Sequence, residues 1–215
     1  MKNQIDTLLF DLDATLYPES NGLWKVIRER IVRYMDERMH IPIEHIDKLR
    51  DDYYVTYGTT LQGLEAHYDI DPADYLNFVH NIQLSDFIQP DTALREMLLS
   101  IPHRRWIFTN SDKDHTVRVL AALGIEDCFD GIVDVWAIRP HCKPQKEAYQ
   151  MALKLADIRD PQQCVFLDDS TRNLVPAQEM GIYTVLVGAK ENHPSADRII
   201  SGIHELPRAV PEIWQ

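Results

Sequence analysis

Apolar residues change period along this sequence, and the changes divide it into parts. The first apolar run is short, Thr7-Leu8-Leu9-Phe10, and it ends in Asp11-Leu12-Asp13. A run of that kind meeting acidic residues predicts a buried strand. From Asn21 to about Ile101 the spacing is helical: Trp24, Ile27, Ile31 and Tyr34 recur at threes and fours, as do Ile46, Leu49 and Tyr53. Asp71-Pro72 has the form of an N-cap followed by proline at the first helical position. Pro90-Asp91 opens a further helix carrying Leu94, Met97, Leu98 and Ile101.

Beyond Pro102 strands and helices alternate. Trp106-Ile107-Phe108 predicts a strand ending in Thr109-Asn110-Ser111-Asp112, and a helix runs on to Leu123, where Gly124 stops it. Ile132-Val133 is a short strand, Lys143-Pro144 opens a helix, and Cys164 to Leu167 is a strand ending in Asp168-Asp169. A helix to Gly181, a strand from Tyr183 to Val187, and a terminal strand and short helix complete the pattern. Alternation of this kind predicts a doubly wound parallel sheet, an α/β fold. The first strand belongs to it, so residues 1–17 and 102–215 form the core domain and residues 18–101 an all-helical insertion.

Composition narrows the function classes. With 45% hydrophobic and 26% charged residues in 215, the chain carries enough apolar material for a core without disulfides. Cys128, Cys142 and Cys164 are odd in number and lack metal-ligand spacing. They fit a reducing compartment, and Cys142 reads as inert. No stretch approaches the roughly 20 apolar residues of a membrane span, and no signal peptide is evident, so a cytoplasmic protein is expected. A formal net charge of −12 without a basic stripe argues against nucleic acid polymers as partners.

In an open parallel sheet, ligands bind at the carboxyl ends of strands. Four such ends carry Asp11 with Asp13, Thr109 with Asn110, Lys143, and Asp168 with Asp169. The acidic ends and Thr109-Asn110 have an ordinary explanation as turn formers or helix caps, while Lys143, a cation that gains nothing from a helix start, has only that of a surface lysine; their joint occurrence at successive strand ends is what points to a site. Clustered carboxylates suit a hard divalent cation such as Mg2+, which favours oxygen ligands. A carboxylate nucleophile splits phosphoryl transfer into two easier steps, and a second carboxylate can serve as general acid and base. A hydroxyl and a lysine ammonium can stabilise charge on phosphoryl oxygens.

Phe10-Asp11-Leu12-Asp13-Ala14-Thr15-Leu16-Tyr17-Pro18 resembles the first motif, D-x-D-x-T, of the haloacid dehalogenase superfamily. Phe108-Thr109-Asn110, Lys143-Pro144 and Phe166-Leu167-Asp168-Asp169-Ser170 resemble its second, third and fourth. The resemblance implies Asp11 as nucleophile and Mg2+ ligand, and Asp13 as general acid/base and metal ligand through its carbonyl. It implies Thr109, Asn110 and Lys143 at the phosphoryl group, and Asp168 and Asp169 at the metal. Ala14 departs from the Asn or Gly of many relatives. Because family dehalogenases lack the second aspartate, Asp13 favours phosphatase chemistry. Lys25 and Lys48 lack the context of the family's Schiff-base lysine.

The insertion resembles a C1-type cap. Tyr53-Tyr54, Tyr57-Gly58, Gly63-Leu64, Tyr17-Pro18, Lys113 and His115 are similar to the pyrimidine 5′-nucleotidase branch. This implies a pyrimidine nucleoside 5′-monophosphate as substrate, with Tyr17, Tyr54, Tyr57 and Lys113 as substrate-binding residues. The alternatives are a sugar-phosphate or broad-specificity metabolite phosphatase, a phosphomutase, and a catalytically silent binding protein on the same fold.

Overall fold

The computed structural model describes residues 4–189, 191 and 193–214. Among these described residues, six strands form one parallel sheet: β1 (Thr7–Phe10), β2 (Arg104–Phe108), β3 (Gly131–Val133), β4 (Cys164–Asp168), β5 (Tyr183–Val187) and β6 (Arg198–Ile200). Their order is β3-β2-β1-β4-β5-β6. Strand order reverses at β1, which pairs with β2 on one side and β4 on the other. All of β1 and β4 is buried, as continuous apolar runs in a parallel sheet require.

The helices are α1 (Leu23–Glu37), α2 (Ile43–Tyr57), α3 (Thr60–His67), α4 (Pro72–His80), α5 (Thr92–Ser100), α6 (Lys113–Leu123), α7 (Lys146–Leu155), α8 (Thr171–Glu179) and α9 (Leu206–Ala209). Among the described residues no helix is long and apolar enough to cross a membrane. The core centres on Leu9, Phe108, Tyr149 and Phe166, all buried. Tyr149 meets Phe108 and Phe166 edge-on, with ring centroids 5.1 and 5.8 Å apart, an arrangement aromatic quadrupoles favour.

The chain divides into two compact units, Met1–Asn21 with Ile88–Gln215, and Gly22–Phe87. Periodicity alone assigns α5 to the insertion, yet the helix groups with the sheet. Asp91 caps it through Leu94 N, and Asp91 N donates to Leu123 O at 3.0 Å. Arg95 donates to Gly124 O at 3.0 Å and pairs with Asp127, and Trp214 Nε1 donates to Ser100 Oγ at 2.9 Å. These partners are distant in sequence, so helical spacing could not reveal them. A second difference concerns α7, which starts at Lys146 and leaves Lys143 in the preceding loop.

In the helical unit, Asp71 caps α4 as its sequence implies, accepting from Ala73 N at 2.8 Å. Tyr34 and Tyr75 meet edge-on at 5.1 Å, and Tyr34 OH donates to Asp74 at 2.9 Å. At Gly63, α2 and α3 approach closely: a Cβ added there would stand 2.2 Å from the Tyr53 ring. After β1, Ala14 adopts a left-handed backbone with φ 61°. This accounts for the Asn or Gly that the resemblance leads one to expect, since those residues tolerate that conformation.

Two stability predictions follow from these close fits. Gly63→Ala should destabilise the protein by ~1–3 kcal/mol through overpacking against Tyr53; unchanged chemical denaturation would contradict the close approach. Ala14→Gly should raise stability by up to ~1 kcal/mol by relieving left-handed strain, and a loss of stability in the same assay would contradict it.

Candidate active site

The sheet brings the motif residues together through register. Phe10 on β1 stands opposite Ile107 on β2 and Leu167 on β4. The residues just beyond these three strands therefore converge. Asp11 N donates to Leu167 O at 2.9 Å, and Thr109 N to Val133 O at 3.0 Å, so both ends are extended and held.

Lys143 is the hub. Its side chain is 1% exposed, and Nζ donates to Asp11 Oδ1 at 2.7 Å, Asp168 Oδ2 at 2.7 Å and Phe108 O at 2.9 Å. Three acceptors satisfy the three donors of the ammonium. Burial alone would lower its pKa, but Asp11 and Asp168 outweigh that and raise it, so Lys143 stays charged. Asn110 fixes the loop carrying Lys143: its Oδ1 accepts from Lys143 N at 2.8 Å and its Nδ2 donates to Lys143 O at 3.0 Å.

Asp168 is fully buried and held from three sides. Besides Lys143, Ser170 N donates to its Oδ1 at 2.9 Å and Asn173 Nδ2 contacts both oxygens at 3.0 and 3.1 Å. Asp169, by contrast, is exposed, and burial of its surroundings together with the Asp168 charge pushes its pKa up to about 7. Burial, followed by the charges of Asp168 and Asp169, raises the Asp11 pKa against the lowering effect of Lys143. Thr15 Oγ1 donates to the other Asp11 oxygen, Oδ2, at 3.2 Å.

Asp13 has its own set of partners. Tyr17 OH donates to Oδ1 at 2.5 Å, Ser111 Oγ to Oδ2 at 2.6 Å, and His115 Nε2 lies 3.0 Å from Oδ1. Burial would raise the Asp13 pKa, but His115, Ser111 and Tyr17 outweigh it and hold the carboxyl below the usual carboxylate range. The ionised group only accepts, so His115 Nε2 carries the hydrogen.

Asp11, Asp168 and Asp169 each offer an oxygen, all within 4.8 Å of one another. That oxygen-only donor set fits a magnesium ion, and the raised pKa of Asp11 and Asp169 marks negative charge that a cation would relieve. Asp168 has its oxygens engaged by Lys143, Ser170 and Asn173, which makes Asp169 the more accessible of the two.

Of the expected core residues, Asp11, Asp13, Thr109, Asn110, Asp168 and Asp169 lie at or just beyond adjoining strand ends, whereas Lys143 reaches them from the loop before α7, ten residues past the end of β3. Thr109 is buried, with its hydroxyl accepting from Ser111 N at 3.0 Å. The four residues expected from the resemblance to contact substrate fare differently. Tyr17 is 4% exposed and directs its hydroxyl to Asp13. Lys113 is exposed, with its backbone N donating to Asp134 at 3.0 Å. Tyr54 and Tyr57 belong to the helical unit; Tyr54 is exposed, and Tyr57 OH meets His67 Nε2 at 2.7 Å. Sequence reasoning gave no role to Ser111 or Asn173 and set His115 only among the residues similar to the nucleotidase branch, without a role of its own. Their offsets from the second and fourth motifs, at helix starts, are the signals that could have found them.

Comparison with known proteins matches this geometry. A family described as haloacid dehalogenase-like hydrolase matches residues 5–181. Phosphate metabolism protein 8 of Saccharomyces cerevisiae is 28% identical over 210 residues, covering 91% of this chain and 65% of that protein. The chain therefore spans slightly less than two thirds of that relative's length. Among solved structures, the HAD-hydrolase YfnB from Bacillus subtilis, bound to magnesium, superposes with a TM-score of 0.63 at 18% identity, covering 96% of this chain and 98% of that one. CbbY from Rhodobacter sphaeroides, in complex with phosphate, gives 0.63 at 20% identity, covering 94% and 96%. At those identities the structures show a shared fold. With the family match extending over most of the chain and through all of these motif residues, the protein belongs to the haloacid dehalogenase-like hydrolases.

Proposed function

We propose that this hydrolase is a phosphatase of small phosphate monoesters, acting through a phosphoryl group carried on Asp11, with pyrimidine nucleoside 5′-monophosphates as preferred substrates. The observation that carries the phosphatase reading is the second carboxylate, Asp13, held by three donors two residues beyond Asp11. An alkoxide leaving group needs a proton and a halide does not, so a fixed second carboxylate has work to do only in ester cleavage.

In the first step Asp13 enters carrying a proton taken up from solvent; a carboxylate oxygen of Asp11 attacks phosphorus, the bond to the ester oxygen breaks, and Asp13 gives that oxygen its proton. In the second step water attacks phosphorus, Asp13 takes up its proton, and the bond to Asp11 breaks to release phosphate. Splitting the reaction in this way replaces one hard displacement with two. Lys143 offsets charge on the transferring oxygens, while Thr15 and Lys143 orient Asp11. Asp11 and Asp169, with the Asp13 carbonyl, are the residues we assign to a magnesium ion. When bound, that ion supplies positive charge at the phosphoryl group and relieves repulsion among the carboxylates. The magnesium in YfnB and the phosphate in CbbY support this assignment by analogy of fold.

The helical unit is our candidate for substrate selection, with Tyr54 and Tyr57 as aromatic surfaces for a base. The yeast relative's name, which refers to phosphate metabolism, agrees with the reaction class.

Three measurements test this reading. Asp11→Asn should reduce phosphate release by more than about 1,000-fold with the fold retained; turnover near the wild-type rate would remove Asp11 as nucleophile. Asp13→Asn should lose about 100- to 10,000-fold on alkyl phosphates and keep residual activity on activated aryl esters, and equal losses would argue against proton transfer. Across nucleotides, sugar phosphates and phospho-acids, phosphate release should favour UMP and CMP and disappear with a chelator. A broad profile would leave the chemistry standing and discard the preference for pyrimidines.

A further inference from the structure

We propose that His115 is a positioning residue for proton transfer: with Tyr17 it saturates Asp13 Oδ1 and so assigns Oδ2 as the oxygen that exchanges the proton. The inference rests on the phosphatase reading above and goes beyond it in naming the atom and the group that sets it.

Each carboxylate oxygen has two lone-pair directions in its plane. Oδ1 receives Tyr17 OH at 2.5 Å and His115 Nε2 at 3.0 Å, which fills both. Oδ2 receives Ser111 Oγ at 2.6 Å and keeps one direction open. A leaving oxygen or an attacking water can therefore meet Asp13 at Oδ2.

The three partners are unequal as constraints. Hydroxyl hydrogens rotate, and either hydroxyl can turn from donor to acceptor. The imidazole is a rigid ring with a fixed N–H direction. Its origin on the chain is also fixed: Asp112 caps α6, accepting from His115 N at 2.9 Å, and Thr116 Oγ1 donates to Asp112 O at 2.8 Å. The His115 side chain is fully buried and that of Asp13 is 10% exposed. Burying an imidazole is costly without a partner, and a leucine would fill the inner face of α6 at less expense. The hydrogen bond to a residue 102 positions away is the feature that only a histidine-like donor supplies. It ties the turn after β1 to the helix after β2, which keeps the Asp13 carboxylate from rotating as charge moves.

The test measures kcat and KM on p-nitrophenyl phosphate, whose leaving group needs little protonation, and on phenyl phosphate, whose leaving group needs more. His115→Ala should lower kcat on phenyl phosphate by about 10- to 100-fold. KM should change little, and the loss on p-nitrophenyl phosphate should be much smaller. His115→Gln places an amide N–H in reach of Oδ1, and should recover a large part of the phenyl phosphate activity. In an Asp13→Asn background, His115→Ala should cost nothing further on p-nitrophenyl phosphate, because its effect passes through Asp13. Equal losses on both esters, the same loss repeated in the Asp13→Asn background, or an unaffected His115→Ala enzyme would each overturn the proposal while leaving the phosphatase reading in place. A wild-type protein that releases no phosphate from either ester or from the metabolite panel would overturn that reading, and this proposal with it.

Discussion

The buried ammonium of Lys143 is the interaction on which the rest of the site depends. It reaches Asp11 from the end of β1, Asp168 from the end of β4 and the carbonyl of Phe108 from the end of β2. No other group joins three strand ends at one atom among the described residues. A pairing of this kind need not stabilise the fold, because removing charges from water costs several kcal/mol per ion and the attraction only offsets it. Its effect is one of arrangement. Without Lys143, two buried carboxylates would face each other unpaired, which is a strongly destabilising situation.

The fold supplies the reason these ends coincide. Strand order reverses at β1, so the chain leaves the sheet in opposite directions on its two sides and opens a crevice above the carboxyl ends. Asp11 immediately follows β1, the strand at which the order reverses. Around it the site separates into two electrostatic regions. Asp11, Asp168 and Asp169 concentrate negative charge beside Lys143, an arrangement that could hold a metal ion. Asp13 lies apart, surrounded by hydrogen-bond donors that favour its ionised form. Two carboxylates separated by a single residue thus have different environments: burial and neighbouring acids favour the neutral form of Asp11, a preference that a cation would reverse, whereas the donors around Asp13 favour its charged form.

Much of this was legible in the sequence. Continuous apolar runs ending in Asp11, Thr109 and Asp168 located the strands, and the change from period 3.6 to alternating elements separated the sheet from the helical stretch. What stayed hidden depends on partners far along the chain. The attachment of α5 to the sheet unit rests on Arg95 with Gly124 and on Ser100 with Trp214. Tyr17 looked like a substrate contact because it follows the first motif closely; a bond with its own motif's Asp13 cannot be read from spacing of four. His115 carried no role of its own because its partner, Asp13, lies 102 positions away. Ala14 looked neutral because backbone conformation is not encoded in a residue that merely tolerates it.

The most direct test of the account is to trap the phosphoryl group. Protein mixed in excess with a turned-over phosphate ester, quenched in acid within the first turnover and digested, should yield the peptide containing Asp11 with one added phosphoryl group on that side chain. An unmodified Asp11 peptide at every quench time, while phosphate continues to be released, would show that water attacks the ester directly and would contradict the account.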